Sequence, residues 1–135
     1  MRNDEFGIRN MERVDLKEKT KKFAIEVIRA INMLPKGQTT AILGKQLLRA
    51  GTSVGANYRS ACRARSKADF ISKMGIVEEE ADETLYWLDL LLEAGIVNRN
   101  QVKYLIDEAN EIVAIAVTSI KTARNNRKNT KLEEV

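Results

Sequence analysis

Four stretches of this chain repeat apolar residues every three or four positions, and short breakers separate them. That period is the mark of an amphipathic helix, and no window of useful length alternates with the period of two that a strand needs. Leu16, Thr20, Phe23, Val27, Ala30 and Ile31, with Leu34 completing the stripe, predict a first helix over about 15–33. Pro35-Lys36-Gly37 ends it, because proline biases Leu34 away from helix and glycine permits a reversal. Leu43, Leu47, Ala50, Gly51, Val54, Tyr58 and Ala61 predict a second helix over about 40–63. Gly51 and Gly55 in its interior cost up to about 1 kcal/mol each against alanine, which asks for a close helix contact or a hinge.

Ser66-Lys67-Ala68-Asp69 reads as a capping box with Asp in place of Glu and opens a third helix over about 67–93. Its stripe is Phe70, Met74, Val77, Ala81, Leu85, Leu88 and Leu92, and Gly95 supplies the stop. The fourth helix, about 100–124, carries Val102, Leu105, Ile106, Ala109, Val113, Ala116, Val117 and Ile120. Residues 1–12 read as a loose arm and 125–135 as a flexible polar tail. Connections this short favour antiparallel neighbours. The expected fold is all-α: a single-domain, up-down-up-down four-helix bundle.

Composition agrees. The 135 residues suffice for one domain, with 44% hydrophobic, 31% charged, one proline and 5% aromatic. Cys62 stands alone, so no intrachain disulfide can form, and its neighbours Tyr58 and Ala61 point to a small buried hydrophobe. No run approaches the roughly 20 apolar residues of a membrane span. Met1-Arg2-Asn3-Asp4-Glu5 lacks the apolar region of a signal peptide, so the expected location is cytoplasmic, with no membrane partner.

The net charge of +4 hides an asymmetry. Residues 40–69 hold six basic side chains against one acidic, residues 70–95 one against seven, and residues 121–135 five against two, for local charges of +5, −6 and +3. With Lys45 set at 0° on a helical wheel, Arg49 falls near +40°, Arg59 near −40° and Arg63 near 0°, about opposite the apolar stripe. That outward ridge has no acid on its own helix to support it. It is a solvated face, a partner for the acidic third helix, or a surface that tracks phosphates; Arg65 and Lys67 extend it.

The third helix has a second apolar direction. With Phe70 at 0°, Ile76, Trp87 and Leu90 lie near −120°, −100° and −160°, and Tyr86 near 160°. These four side chains either meet flanking helices or form an oligomer interface, where Trp and Tyr are enriched.

Catalytic chemistry is thin. There is no histidine, which removes the usual general base and the commonest metal ligand. Glu78-Glu79-Glu80 spreads over about 200° of helix, so the carboxylates do not converge, and pairing of Glu78 or Glu80 with an arginine is the simpler reading. No glycine-rich phosphate loop is present. The expectation is a protein that is not an enzyme and uses no cofactor or metal.

Three blocks carry a family resemblance: Gln46-Leu47-Leu48-Arg49-Ala50-Gly51-Thr52-Ser53-Val54-Gly55-Ala56-Asn57-Tyr58-Arg59, then Ser66-Lys67-Ala68-Asp69-Phe70-Ile71, then Glu80-Ala81-Asp82-Glu83-Thr84-Leu85-Tyr86-Trp87-Leu88. Their order over Leu16 to Ile120 resembles the bacterial 23S ribosomal RNA intervening-sequence proteins, often encoded within an insertion in a 23S ribosomal RNA gene. The resemblance implies a four-helix bundle assembled as a ring-shaped homopentamer. It also implies likeness to the accessory variability protein of diversity-generating retroelements, a basic pentamer that binds nucleic acid and a reverse transcriptase. Where family members frequently carry Glu after the Asn-Tyr-Arg segment, this chain has Ser60. No catalytic residues come with the resemblance.

Two readings follow. In one, a homo-oligomer contacts RNA or DNA, without strong sequence preference, through Lys45, Arg49, Arg59, Arg63, Arg65 and Lys67, and associates through Ile76, Tyr86, Trp87 and Leu90. In the other, the chain is a protein-interaction scaffold whose basic second helix meets the acidic third helix of a neighbour, with no nucleic-acid role.

Overall fold

The computed structural model describes residues 15–133, with side chains through Asn126. Four helices follow one another: α1 (Leu16–Asn32), α2 (Gln38–Cys62), α3 (Lys67–Glu93) and α4 (Arg99–Glu133). Each packs on its neighbours in the chain, and α1 closes the ring against α4, giving an all-α four-helix bundle. The antiparallel sense of the first pair is visible in its contacts. Ascending α2, Gly44 faces Leu34 and Ile31, Gly51 faces Val27, and Gly55 faces Thr20.

Local chemistry sets the helix ends. The Asp15 carboxylate accepts hydrogen bonds from the backbone N–H groups of Lys17 and Glu18 at 3.0 and 3.3 Å, satisfying two donors the helix leaves orphaned. Ser66 Oγ accepts from Asp69 N at 3.0 Å, while the Asp69 carboxylate reaches back to Arg65 N at 3.3 Å, one residue before the usual capping-box partner. α3 stops in a Schellman turn: Gly95 adopts φ +75°, Ile96 N donates to Leu91 O and Gly95 N to Leu92 O. A reciprocal box opens α4, where Gln101 N donates to Asn98 Oδ1 and Asn98 N to Gln101 Oε1.

The core is one continuous cluster. Phe23, Val27, Leu47, Val54, Tyr58, Phe70, Met74, Leu88, Leu91 and Ile112 are buried within it, drawn from all four helices. At roughly 1.5–3 kcal/mol per fully buried large apolar side chain, this cluster drives the fold. On α3 the buried line runs through Thr84 and Leu91, while Leu85 and Leu92 are only half-buried. Thr84 tolerates burial because its hydroxyl donates to Glu80 O at 2.7 Å, and Thr20 does the same to Leu16 O at 2.8 Å. Cys62 is buried, in the position of a small hydrophobe.

α4 continues to Glu133 where an end near 124 was expected. Ala123 is still fully buried, and no glycine or proline after it supplies a stop, so polarity alone does not end the helix. The expected arm at residues 1–12 lies outside the described residues, as do the last two residues of the polar tail. No described helix is long and apolar enough to cross a membrane.

Candidate functional site

The outward ridge of α2 divides once its neighbours are in place. Arg49, at one edge of the ridge, leans toward α3 and bridges two carboxylates there: Nη1 lies 3.2 Å from Glu80 Oε2, and Nη2 pairs with Glu83 Oε2. Glu83 also accepts from Trp87 Nε1 at 3.2 Å. Arg49 is therefore the centre of an α2–α3 clamp within one chain, and the pairing of Glu80 with an arginine is realised there. Lys45, Arg59, Arg63, Arg65 and Lys67 form no side-chain ion pair with any described residue.

Arg59 and Arg63 leave the ridge on the opposite side, toward α1. There they meet Lys17 and Lys21 across a groove of about 720 Å³. The four cations are exposed and form its rims, while Thr20, Tyr58 and Cys62 are buried beneath, and Ala24 and Gly55 are half-buried. Among the described residues no acid lines the groove, and none of the four cations has a carboxylate partner. On each side the two cations are four residues apart, Arg63 being the C-cap of α2, which sets them about 6 Å apart along the helix axis. The hydroxyls of Thr20 and Thr52 spend their hydrogens on the carbonyls of Leu16 and Leu48, so the side-chain donors facing an anion are the cations.

Lys17 and Lys21 were not singled out from the sequence. Their i,i+4 spacing was legible, but Glu18, Lys19 and Lys22 share the same segment and hide it. Lys19 in fact faces α4: Nζ donates to Glu108 Oε1 at 2.9 Å and Glu111 Oε1 at 2.8 Å. Burial by itself would lower the Lys19 pKa, but these two carboxylates outweigh it and hold the ammonium above its ordinary value. Lys22 instead lies over the Tyr104 ring, 5.6 Å from its centre.

The second apolar direction of α3 also divides. Trp87 is half-buried, packs against the chain's own core and meets Tyr86 edge-on at 5.1 Å. Leu90 is half-buried, whereas Ile76 and Tyr86 are exposed, at 36% and 56%. The remaining exposed large apolar side chains lie mainly on α1 and α2, including Ile28, Ile42 and Leu48, with Met33 at 74% beside the connection between them. None of these was singled out from the sequence, since each lies off its helix's apolar stripe. At the end of α3, the exposed Glu93 carboxyl is pushed up by sharing a hydrogen bond with Asp89 and by that group's charge.

Comparison with known proteins agrees with this fold. A family profile described as 23S rRNA-intervening sequence protein matches residues 12–118. The crystal structure of a protein of unknown function from the S23 ribosomal protein family of Bacteroides thetaiotaomicron superposes with a TM-score of 0.74 at 39% identity, covering 79% of this chain and 99% of that one. No curated protein matches the chain.

Proposed function

The chain belongs to the 23S rRNA-intervening sequence protein family, and we propose that it is a non-enzymatic, homo-oligomeric subunit that holds RNA or DNA by its phosphates. The observation that carries this reading is the basic surface running from α2 through its turn into α3, at Lys45, Arg59, Arg63, Arg65 and Lys67, none of which forms an ion pair with a described acid. Cations held a helical turn apart neutralise successive phosphates and release counterions, which supplies affinity without reading bases. The family's printed name makes RNA the first ligand to test. Assembly repeats the surface in each subunit, so weak contacts add through effective concentration. Exposed Ile76 and Tyr86 support association through α3, and the ring of five implied by the resemblance is the assembly proposed.

The scaffold reading has less behind it. It loses part of its acidic surface, because Glu80 and Glu83 already engage Arg49 in cis, and keeps Glu78, Glu79, Asp82, Asp89 and Glu93, which form no ion pair with a described residue. Anisotropy titrations of labelled RNA across a salt series test the proposal. Log affinity should fall linearly with log salt, by about 0.9 per phosphate neutralised on a duplex. Replacement of both Arg59 and Arg63 by Ala should make that line shallower. A flat salt response refutes the reading, and an oligomer that dissociates in high salt without ever binding nucleic acid favours the scaffold.

A further inference from the structure

The α1–α2 groove carries more information than the ridge. It has two parallel rails, Lys17 and Lys21 on α1 and Arg59 and the C-cap residue Arg63 at the end of α2, around a lining with no acid among the described residues. Its aromatic residue, Tyr58, is 1% exposed and offers no ring face to a base. Exposed Tyr86 and Tyr104 stand on α3 and α4, away from it. Proteins that hold single strands without sequence preference stack bases on aromatic rings, each worth about 1–3 kcal/mol. A duplex keeps its bases stacked on one another and presents only phosphates. It also returns more counterion entropy per phosphate than a single strand, with a slope of about 0.9 against 0.7.

Resting on the nucleic-acid reading above, we infer that the α1–α2 groove seats the phosphodiester backbone of one strand of a nucleic-acid duplex. Lys17 and Lys21 grip it from one side and Arg59 and Arg63 from the other. The small side chains of Ala24 and Ala56 and the bare backbone of Gly55 let the backbone settle between the rims. The occupant is duplex RNA or duplex DNA, which share this chemistry.

Four labelled probes of equal length test it: duplex RNA, duplex DNA and the single strand of each. The full chain should bind both duplexes more tightly than either single strand. Lys21→Ala/Arg63→Ala removes two phosphate contacts, so the salt slope should become shallower by about 1.8, and affinity near 0.15 M salt should drop about 30-fold. Lys36→Ala/Arg99→Ala removes the same charge away from the groove and should leave the slope within error of the parent. Ala56→Trp fills the groove from an exposed position without changing charge, and it should weaken duplex binding while helicity by circular dichroism stays intact.

If Ala56→Trp and Lys21→Ala/Arg63→Ala bind duplex like the parent, the groove inference fails, while salt-dependent binding by the parent still supports the broader function. Tighter binding of single strands overturns the duplex assignment. Absence of binding to all four probes removes the functional reading and this one together.

Discussion

Gly51 offers the sharpest test of how α1 and α2 are held together. A Cβ placed on it would lie 2.8 and 2.9 Å from the two Val27 methyls and 3.2 Å from the Val27 Cβ. Val27 is fully buried and β-branched, so it has little freedom to turn aside. Gly51→Ala should therefore gain about 1 kcal/mol of helix propensity but lose about 2 kcal/mol to overpacking, for a net loss near 1 kcal/mol. Gly75→Ala on α3 is the internal control, because its added Cβ meets nothing within 4 Å and should keep the whole propensity gain of about 1 kcal/mol. In a bundle of this size that difference reads as melting temperatures about 3 °C below and 3 °C above the parent, measured at one fixed protein concentration. A third variant fixes the cause. Val27→Ala costs about 2 kcal/mol by itself, and in that background Gly51→Ala should become stabilising because the new methyl enters the space vacated. Stabilisation by Gly51→Ala in the parent background, equal to that of Gly75→Ala, would refute the claim that close approach explains this glycine.

Three further outcomes follow from the structure. Lys19→Met should cost about 1–2 kcal/mol at neutral pH by removing the α1–α4 clamp. Because the folded-state pKa of Lys19 is raised, its contribution is whole below the ordinary lysine value of 10.5 and lost as pH rises through the folded value, so parent and variant stabilities should converge only in strong alkali. Gly95→Ala forces a side chain into the left-handed region at φ +75° and should cost about 1 kcal/mol by urea unfolding, although nothing crowds its Cβ. Arg49→Ala should lower stability by about 1 kcal/mol, leaving Glu80 and Glu83 without their partner, yet reduce nucleic-acid affinity less than Arg63→Ala does; the opposite order would place Arg49 on the ligand.

What could be read from the sequence was what depends on one helix at a time. The apolar stripes gave the bundle because burial is decided by which side of a helix a residue occupies. Gly95 marked the end of α3 through the one backbone conformation that favours glycine. The start of α4 was also written locally, as Asn98 and Gln101 three residues apart, but with an amide on each side where Ser and Glu are the usual pair. Its far end was not, because helix-permitting polar residues look the same in solvent whether coiled or helical. Trp87 could not be assigned from its angle alone. At about −100° it lies on the flank where α3 meets α2, and only the packed helix shows that its ring covers the chain's own core.

The functional surface was harder because its charge is not a property of one helix. Arg49 and Arg59 stand about 80° apart on α2, close enough to look like one ridge. That separation delivers them to different neighbours. α3 offers Glu80 and Glu83 on its α2-facing flank and neutralises Arg49, whereas α1 offers Lys17 and Lys21 and reinforces Arg59. Two residues of the same chemistry on the same helix thus take opposite parts, one as a structural ion pair and one on the rim of a cationic groove. Helix order alone decides which. With an acidic third helix on one side of α2 and a lysine-rich first helix on the other, the cations that face one another without a described carboxylate partner are the four of the α1–α2 groove. Substitutions at Lys17, Lys21, Arg59 and Arg63, rather than at Arg49, should dominate the response to a polyanion.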